Sequence, residues 1–146
     1  MKLTTSISCK DCVRMGEKMC SKPPGKCGVE RRRLRRNSYV PSRRLSDYGT
    51  QLKEKQKARL VYGVMERQFK NYVKKATKMD GIAGENLLSL LESRLDNVVF
   101  RLGYGRSRAQ SRQMVGHGHF LVNGTRVDVP SYIVRLGDKV EISERS

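Results

Sequence analysis

Residues 92–142 decide the fold, and they read ESRLDNVVFRLGYGRSRAQSRQMVGHGHFLVNGTRVDVPSYIVRLGDKVEI. Apolar side chains in the first part of this stretch recur every three or four residues, which is the period of a short amphipathic helix. These apolar positions are Leu95, Val98, Val99 and Leu102. Gly103 follows them and is placed to end the helix in a left-handed conformation. The stretch is therefore predicted to open with a short helix and a tight turn.

A second helix is predicted directly after this turn. Ser107 is its expected N-cap, and Gln110 three residues later completes the pattern of a capping box. Arg106, Arg108 and Arg112 cluster at the new N-terminus, and the last two are four residues apart, so they share one face. Unpaired backbone N–H groups, the positive helix end and guanidinium forks all favour phosphate. The pattern predicts a helix start that binds nucleic-acid backbone.

After the second helix the period changes to that of strands. Phe120–Val122 is strand-like, and Asn123-Gly124 is a strong signal for a two-residue hairpin. Thr125–Val129 is the expected partner strand, and Tyr132–Val134 and Lys139–Ile142 are expected to be extended. The chain is thus predicted to be α+β, with an Arg-rich helix-turn-helix followed by a small antiparallel β-structure.

A small helical domain is predicted upstream, in residues 47–91. Asp47–Met79 is mostly helical, Gly63 separates two helices within it, and a further helix covers Asn86–Leu91. Core positions at helical spacing are Val61, Met65, Phe69, Val73 and Ala76. Tyrosines either stack on bases or pack in the core, and packing is favoured for Tyr48, Tyr62 and Tyr72.

Basic residues crowd one and a half turns of the first of these helices, with Glu54 as the only local acid. Like charges four residues apart weaken an isolated helix, so this pattern favours neutralisation by RNA. A second basic run fills residues 29–46, which are too polar to build a core and are expected to be a disordered arm until RNA binds.

Four cysteines lie close together in the pattern Cys9-x2-Cys12-x7-Cys20-x6-Cys27. Four thiolates would make a closed structural zinc site, in a knuckle that covers residues 1–28. Free thiols without a role and two disulfides are the alternatives. Zinc is favoured over both, because such clustering is rare by chance and because a reducing compartment keeps thiols free.

The overall composition points to nucleic acid as well. The chain has 146 residues, 31 Lys+Arg against 14 Asp+Glu and a formal net charge of +17. A merely solvated surface is the alternative, but it does not require so large and concentrated an excess. Neutralising phosphates releases counterions, so binding is expected to depend steeply on salt. No segment is long enough for a membrane span or a secretory signal, so a cytoplasmic protein is expected.

Two stretches carry a family resemblance. The segment ESRLDNVVFRLGYGRSRAQSRQMVGHGHFLVNG resembles the second domain of bacterial-type small-subunit ribosomal protein four. Upstream, RRLSDYGTQLKEKQKARLVYGVMERQF resembles the start of the first domain of that family. The match runs collinearly from about residue 43 to about residue 143. The short Arg-rich module also occurs in other RNA-binding proteins, and the upstream segment narrows the resemblance to the ribosomal family.

The resemblance implies a structural constituent of the small ribosomal subunit. It implies primary binding of small-subunit, 16S-type rRNA, nucleation of subunit-body assembly and support of translational accuracy. It also implies contact with the neighbouring small-subunit ribosomal protein five and a place near the entrance of the mRNA channel. Many members carry four cysteines at the N-terminus, which supports Zn²⁺, although their third cysteine usually follows a longer gap. Members are usually longer, with a C-terminal tail that packs on the first domain.

These considerations give one set of candidate RNA contacts in three regions. No catalytic group or small-molecule substrate is indicated, since His117 and His119 have no adjacent nucleophile or carboxylate pair. The alternatives are a free-standing RNA-binding factor for stress rescue or regulation, a zinc-dependent DNA-binding regulator and, more remotely, an RNA-modifying enzyme. The candidates are Arg31, Arg32, Arg33, Arg35, Arg36, Arg43 and Arg44 in the arm, Lys53, Lys55, Lys57 and Arg59 in the first domain, and Arg94, Arg101, Arg106, Ser107, Arg108, Gln110, Arg112, His117 and His119 in the module spanning residues 92–146.

Overall fold

The computed structural model describes residues 7–20, 22–35 and 46–143. Its helices are α1 Cys9–Met15, α2 Gly28–Arg35, α3 Asp47–Tyr62, α4 Glu66–Ala76, α5 Ala83–Glu92, α6 Leu95–Arg101 and α7 Arg108–Gly116. Its strands are β1 Phe120–Val122, β2 Thr125–Arg126 and β3 Val140–Ile142. The chain forms two compact units, Met1–Gly63 and Val64–Ser146. The predicted α+β class is confirmed.

The first unit begins with α1 and α2 packed around a very small core. Ser8 caps α1 in a reciprocal capping box with Asp11. The buried side chains between the two helices are Cys12, Cys27 and Val29. Residues 29–35 were expected to be a disordered arm, and this is wrong, because Val29 gives them an apolar anchor and they continue as helix α2. The rest of the arm, residues 36–45, lies outside the described residues.

Helices α3 and α4 follow on either side of Gly63, as the sequence predicted. Ser46 caps α3 through its hydroxyl, which accepts a hydrogen bond from the backbone N–H of Gly49. Gly63 ends α3 with φ at 60°, a left-handed conformation that favours glycine. The predicted separation at Gly63 is therefore confirmed.

The second unit starts with α4 and α5. Phe69, Tyr72, Ala76 and Leu91 are buried in this part of the unit. Met65 was predicted to be a core residue, but it is the N-cap of α4, ahead of the packed face, and it is half exposed. The packing role is confirmed for Tyr62 and Tyr72, which are buried, whereas Tyr48 is exposed and does not pack. The helix predicted from Asn86 begins three residues earlier, at Ala83.

The helix pair α6–α7 and the sheet share one core. Its fully or nearly fully buried members are Leu95, Val99, Val115, Phe120 and Val122. Gly103 is left-handed as predicted, with φ at 84°. Leu102 does not extend the buried stripe as expected, because it is the C-cap of α6 and is exposed.

The sheet has three antiparallel strands in the order β2-β1-β3. Asn123 and Gly124 both have positive φ, 52° and 77°, which confirms the predicted hairpin turn. Strand β2 stops at Arg126 and does not reach Val129. The extended segment around Ile133 does not join the sheet. It pairs instead with the chain just before α6, through an antiparallel bridge between Arg94 and Ile133.

Candidate nucleic-acid interface and cysteine cluster

Helix α7 has a well-defined, capped start. The hydroxyl of Ser107 accepts a hydrogen bond from the backbone N–H of Gln110 at 3.2 Å, as predicted. The side-chain oxygen of Gln110 accepts from the N–H of Arg106 at 2.9 Å, one residue before the position that a capping box would use. The Gln110 contact therefore orders the turn that carries Arg106, and Ser107 alone caps the helix.

The first arginine of the pair predicted on one face of α7 is Arg108. Its Nε donates to Oδ1 of Asn97 at 2.8 Å, and its guanidinium lies 4.5 Å from the centre of the Phe100 ring. The second is Arg112, whose Nε donates to Oδ2 of Asp96 at 2.8 Å. Both side chains are partly exposed. The shared face exists as predicted, and α6 supplies a polar partner for each arginine.

Arg94 occupies a different environment from the one expected. Its side chain is 3% exposed and donates to both carboxylate oxygens of Asp96, at 3.0 and 2.7 Å, and to the hydroxyl of Tyr72 at 2.8 Å. Burial opposes the charge of this guanidinium, but the hydrogen bonds and charge of Asp96 outweigh burial and raise the pKa of Arg94. Arg94 offers almost no surface to RNA, so its expected role as an RNA contact is not supported.

The other candidate contacts of the module are mostly exposed. Arg101 is exposed and pairs with Glu92 through Nε and a terminal nitrogen, at 3.1 and 2.8 Å. Arg106 is exposed in the turn before α7. His117 is exposed at the end of α7, and the centre of its ring is 6.0 Å from that of the half-buried His119.

Arg126 is an exposed residue that the sequence patterns did not single out. Its terminal nitrogen donates to the backbone carbonyl of His117 at 2.9 Å, and its guanidinium covers Gly118 so closely that a Cβ there would meet Arg126 Nε at 2.1 Å. Gly118 also has φ at 74°. The Asn-Gly turn fixes the register that pairs Arg126 with Leu121. The sequence could therefore have predicted this exposed cation near the histidines.

The candidate cations of the first unit lie on α2 and α3. Arg31, Arg32 and Arg33 are exposed on α2, where Arg33 donates to the carbonyl of Gly16 at 3.2 Å. Lys22, Lys26, Arg31 and Arg32 line a cavity of about 320 Å³ beside Cys9. Arg35 ends α2, and Arg36, Arg43 and Arg44 lie outside the described residues.

On α3, Lys53, Lys55, Lys57 and Arg59 are all partly exposed. Lys57 forms ion pairs with Glu17 and with Glu54, at 2.5 and 3.9 Å. The hydrogen bond with Glu17 is the largest cause of the raised pKa of Lys57. The sequence had indicated Glu54 as the only acid near these cations, and the fold adds Glu17 from the cysteine-rich segment.

Three of the four cysteines bring their sulfurs together, and the fourth lies in the same small core. The sulfurs of Cys9, Cys20 and Cys27 all lie within 4.8 Å of one another, close enough to hold a metal ion. Cys12 is buried in the same small core, and its sulfur accepts a hydrogen bond from the N–H of Met19 at 3.4 Å. The Cys20 and Cys27 sulfurs are 3.6 Å apart, and Zn–S bonds of about 2.3 Å would place tetrahedral sulfurs about 3.8 Å apart. The donor set therefore fits a tetrahedral thiolate site.

The thiols do not share one acidity. Hydrogen bonds from the N–H of Gly28 and from Lys22 lower the pKa of Cys9. The backbone N–H of Lys22 acts in the same direction on Cys20, but burial and the neighbouring sulfurs outweigh it and raise the pKa of Cys20 to about 11. This is the behaviour of several thiols that compete to carry negative charge in a small space.

None of the helices in the described ranges combines the length and the apolar character that crossing a bilayer requires. Two family models match the chain in succession. The ribosomal protein S4/S9 N-terminal domain matches residues 4–92, and the S4 domain matches residues 93–140.

Relatives match nearly the whole chain. The protein from Thermodesulfovibrio yellowstonii named small ribosomal subunit protein uS4 is 54% identical over 144 residues, which cover 94% of this chain and 69% of the relative. The protein from Clostridium perfringens named small ribosomal subunit protein uS4A is 52% identical, covering 97% of this chain and 71% of the relative. The uS4 protein from Acetivibrio thermocellus is 50% identical with the same coverage. Both the family models and these identities show that the chain belongs to the ribosomal protein S4 family.

Proposed function

We propose that this chain is a structural constituent of the small ribosomal subunit that binds small-subunit rRNA. The observation that carries the proposal is the arrangement of Arg106, Arg108 and Arg112 at the capped start of α7, with Arg101 on the adjacent α6. Guanidinium groups next to a helix N-terminus suit a folded sugar–phosphate backbone. The names of relatives that are 50–54% identical support the same assignment.

The proposed contact set is the one expected from the sequence, changed at two positions where the described side chains call for it. In the module it keeps Arg101, Arg106, Ser107, Arg108, Gln110, Arg112, His117 and His119, omits Arg94 and adds Arg126. In the rest of the chain it keeps Arg31, Arg32, Arg33, Arg35, Arg36, Arg43, Arg44, Lys53, Lys55, Lys57 and Arg59. We keep four proposed functional segments, residues 1–28, 29–46, 47–91 and 92–146. Residues 29–35, however, continue as helix α2, and Val29 at its start packs in the small core with the cysteines.

We infer further that the sulfur cluster is a structural Zn²⁺ site with Cys9, Cys12, Cys20 and Cys27 as its ligands. Zinc suits a closed four-thiolate set because it needs no redox change and no open position. When bound, it would supply the tertiary restraint that the small core between α1 and α2 lacks.

The proposed role involves no catalysis. Early binding that organises the subunit body, contact with ribosomal protein five, a position near the entrance of the mRNA channel and an influence on decoding accuracy complete the proposal. A cytoplasmic location follows from a ribosomal role. Phosphate contacts give affinity by charge and shape, so rRNA junctions rather than short sequence motifs are the expected target.

Replacing Arg108 and Arg112 with alanine tests the assignment. Each lost phosphate contact should reduce the slope of log K against log salt by about 0.7–0.9, so the double variant should lose up to about 1.4–1.8. Filter binding to transcribed small-subunit rRNA over a salt series measures this slope. Lys70→Ala, which removes an exposed charge on α4, is the matched control and should change the slope little. An unaltered slope in the double variant would exclude these arginines as phosphate contacts.

A free-standing RNA-binding factor is the alternative from another class. It would be found apart from ribosomes, whereas a structural constituent should sediment with intact small subunits in moderate salt.

A further inference from the structure

Two neighbouring residues of α6 each hold one arginine of α7. Asp96 accepts from Arg112 and Asn97 accepts from Arg108, both through Nε at 2.8 Å. Both acceptors are interior residues, 3% and 2% exposed, although one carries a charge and the other a polar amide. Groups of this kind are costly to bury unless their partners are fixed.

The carboxylate of Asp96 is itself fixed by a second arginine. Arg94 donates to both of its carboxylate oxygens, and the hydroxyl of Tyr72 on α4 accepts from Arg94 at 2.8 Å. The carboxylate is therefore clamped on one side, and its Oδ2 atom also faces Arg112.

Asn97 is oriented in a similar way. Its amide nitrogen donates to the backbone carbonyl of Glu92 at 3.1 Å and to the Glu92 carboxylate at 2.6 Å. Since the nitrogen is committed to Glu92, the amide oxygen must face Arg108. Each arginine of α7 thus meets an acceptor that cannot turn away.

The ion pairs that hold Arg112 do not cancel its positive charge. The single negative charge of Asp96 is shared between Arg94 and Arg112, so the three groups together carry a net charge of +1. Asn97 is neutral, so its own contact with Arg108 adds no negative charge.

We propose that Asp96 and Asn97 are positioning residues that orient Arg112 and Arg108 before RNA arrives, with Arg94 as the buried counter-charge. The proposal rests on the RNA-binding function proposed above and deepens it. Long side chains lose conformational freedom when they bind, so arginines that are already ordered in the free protein bind phosphate more tightly. Neither acceptor touches the RNA in this scheme.

The double substitution Arg94→Met with Asp96→Leu tests the proposal. It removes one positive and one negative charge, so the net charge stays at +17. A buried ion pair replaced as a whole by apolar side chains of similar volume is often tolerated. In the free protein, the NMR signal of the Arg112 Nε–H should lose its protection from exchange, while that of Arg108 keeps it.

Binding to transcribed small-subunit rRNA should weaken about tenfold at fixed salt, as expected for one arginine that must be ordered on binding. The salt slope should be unchanged, because Arg112 still carries its charge. This combination separates positioning from loss of a charge, which would lower the slope, and from a purely structural role, which would alter stability alone.

Two further variants complete the test. Asn97→Ala should have the reciprocal effect, releasing the Arg108 signal and sparing that of Arg112, and it keeps the test decisive if the double variant does not fold. The control Lys139→Gln with Glu141→Gln removes the ion pair between Lys139, just before β3, and Glu141 on β3. It also keeps the net charge constant and should leave affinity and both signals unchanged.

Affinities equal to wild type in folded variants, or unchanged Nε–H protection, would overturn the proposal. Failure of the wild-type protein to bind the rRNA would instead count against the proposed function, while the NMR comparison would still decide whether the arginines are held.

Discussion

Each unit brings similar side chains together, but in a different way. The first unit gathers the cysteines, and the second gathers an arginine array of Arg108 and Arg112. The arginines are interleaved with acceptors, Asp96 and Asn97, and stand on a core that includes Leu95 and Phe120. The cysteines gather groups that repel one another once ionised, over a core of Cys12, Cys27 and Val29. The array is stabilised by acceptors that the protein itself supplies, whereas the proposed zinc ion would have to offset the repulsion between the thiolates.

The largest effect is expected from removing ligands of the proposed zinc site, because this should unfold one unit and spare the other. Cys9→Ser with Cys12→Ser should unfold α1 and α2 and leave the second unit folded, because structural zinc supplies on the order of 10–16 kcal/mol of apparent binding free energy at pH 7. Chemical shifts of residues in both units measure the outcome, and a chelator added to the variant should cause no further change. Zinc should also dissociate as pH falls, since its ligands must be thiolates. Elemental analysis that finds no metal in reduced protein would exclude the site.

Leu95→Ala should have the reverse effect and unfold the second unit preferentially. Leu95 is fully buried in the core shared by α6, α7 and the sheet, so the truncation should cost about 2–5 kcal/mol. Thermal or urea unfolding followed through the Phe120 signals measures this loss. Leu88→Ala, at a half-exposed position on α5, is the matched control and should change stability far less. Equal losses in the two variants would contradict the assigned core.

A smaller loss of stability is expected from filling the tight space at Gly105, in the turn before α7. A Cβ at Gly105 would meet the hydroxyl of Ser111 at 2.2 Å and its backbone nitrogen at 3.1 Å. Gly105→Ala should therefore destabilise the second unit by about 1–3 kcal/mol. Adding Ser111→Ala removes the nearer atom and should recover part of the loss. That second change alone should cost little, since the buried Ser111 hydroxyl has no hydrogen-bond partner among the described residues. Without any partial rescue, the steric explanation would be wrong.

The smallest effect is expected at Asp138, whose contribution to stability should depend on pH. The N–H of Arg135 and the amide of Asn123 donate to Asp138, and these contacts lower the pKa of its carboxyl group. A lowered pKa in the folded state means that the stabilisation is present above the ordinary value of about 3.9 and is lost as pH falls through the folded pKa. Asp138→Asn should therefore lower the melting temperature at pH 7 and less so at pH 3. An equal decrease at both pH values would show that the charge of Asp138 is not involved.

Local patterns predicted much of this architecture. Ser107, Gly63, Gly103 and the Asn123-Gly124 turn act through their own backbone or through residues a few positions away, and each was found where the sequence placed it. The helices and the hairpin follow from these signals together with apolar periodicity.

Partners distant in sequence explain what the sequence did not predict. Arg94 resembled an exposed contact because its neighbours in sequence are those of a binding helix, and only the fold brings Tyr72 beside it. Lys57 likewise finds Glu17 through tertiary packing. Residues 29–35 were too basic to suggest a helix, and the burial of Val29 against the cysteines is a tertiary effect.

The hydrogen bond between Tyr72 and Arg94 bears on how such modules can be transferred between proteins. The family models divide the chain between residues 92 and 93, but this bond joins side chains on either side of that division, as do the contacts of Glu92 with Asn97 and Arg101. A graft beginning at residue 93 would lack the Tyr72 hydroxyl, so a host surface that covered Arg94 would bury a guanidinium donor without its acceptor. Any host protein that accepts the graft must therefore bring its own hydroxyl or carbonyl to that spot, or replace Arg94 and Asp96 together.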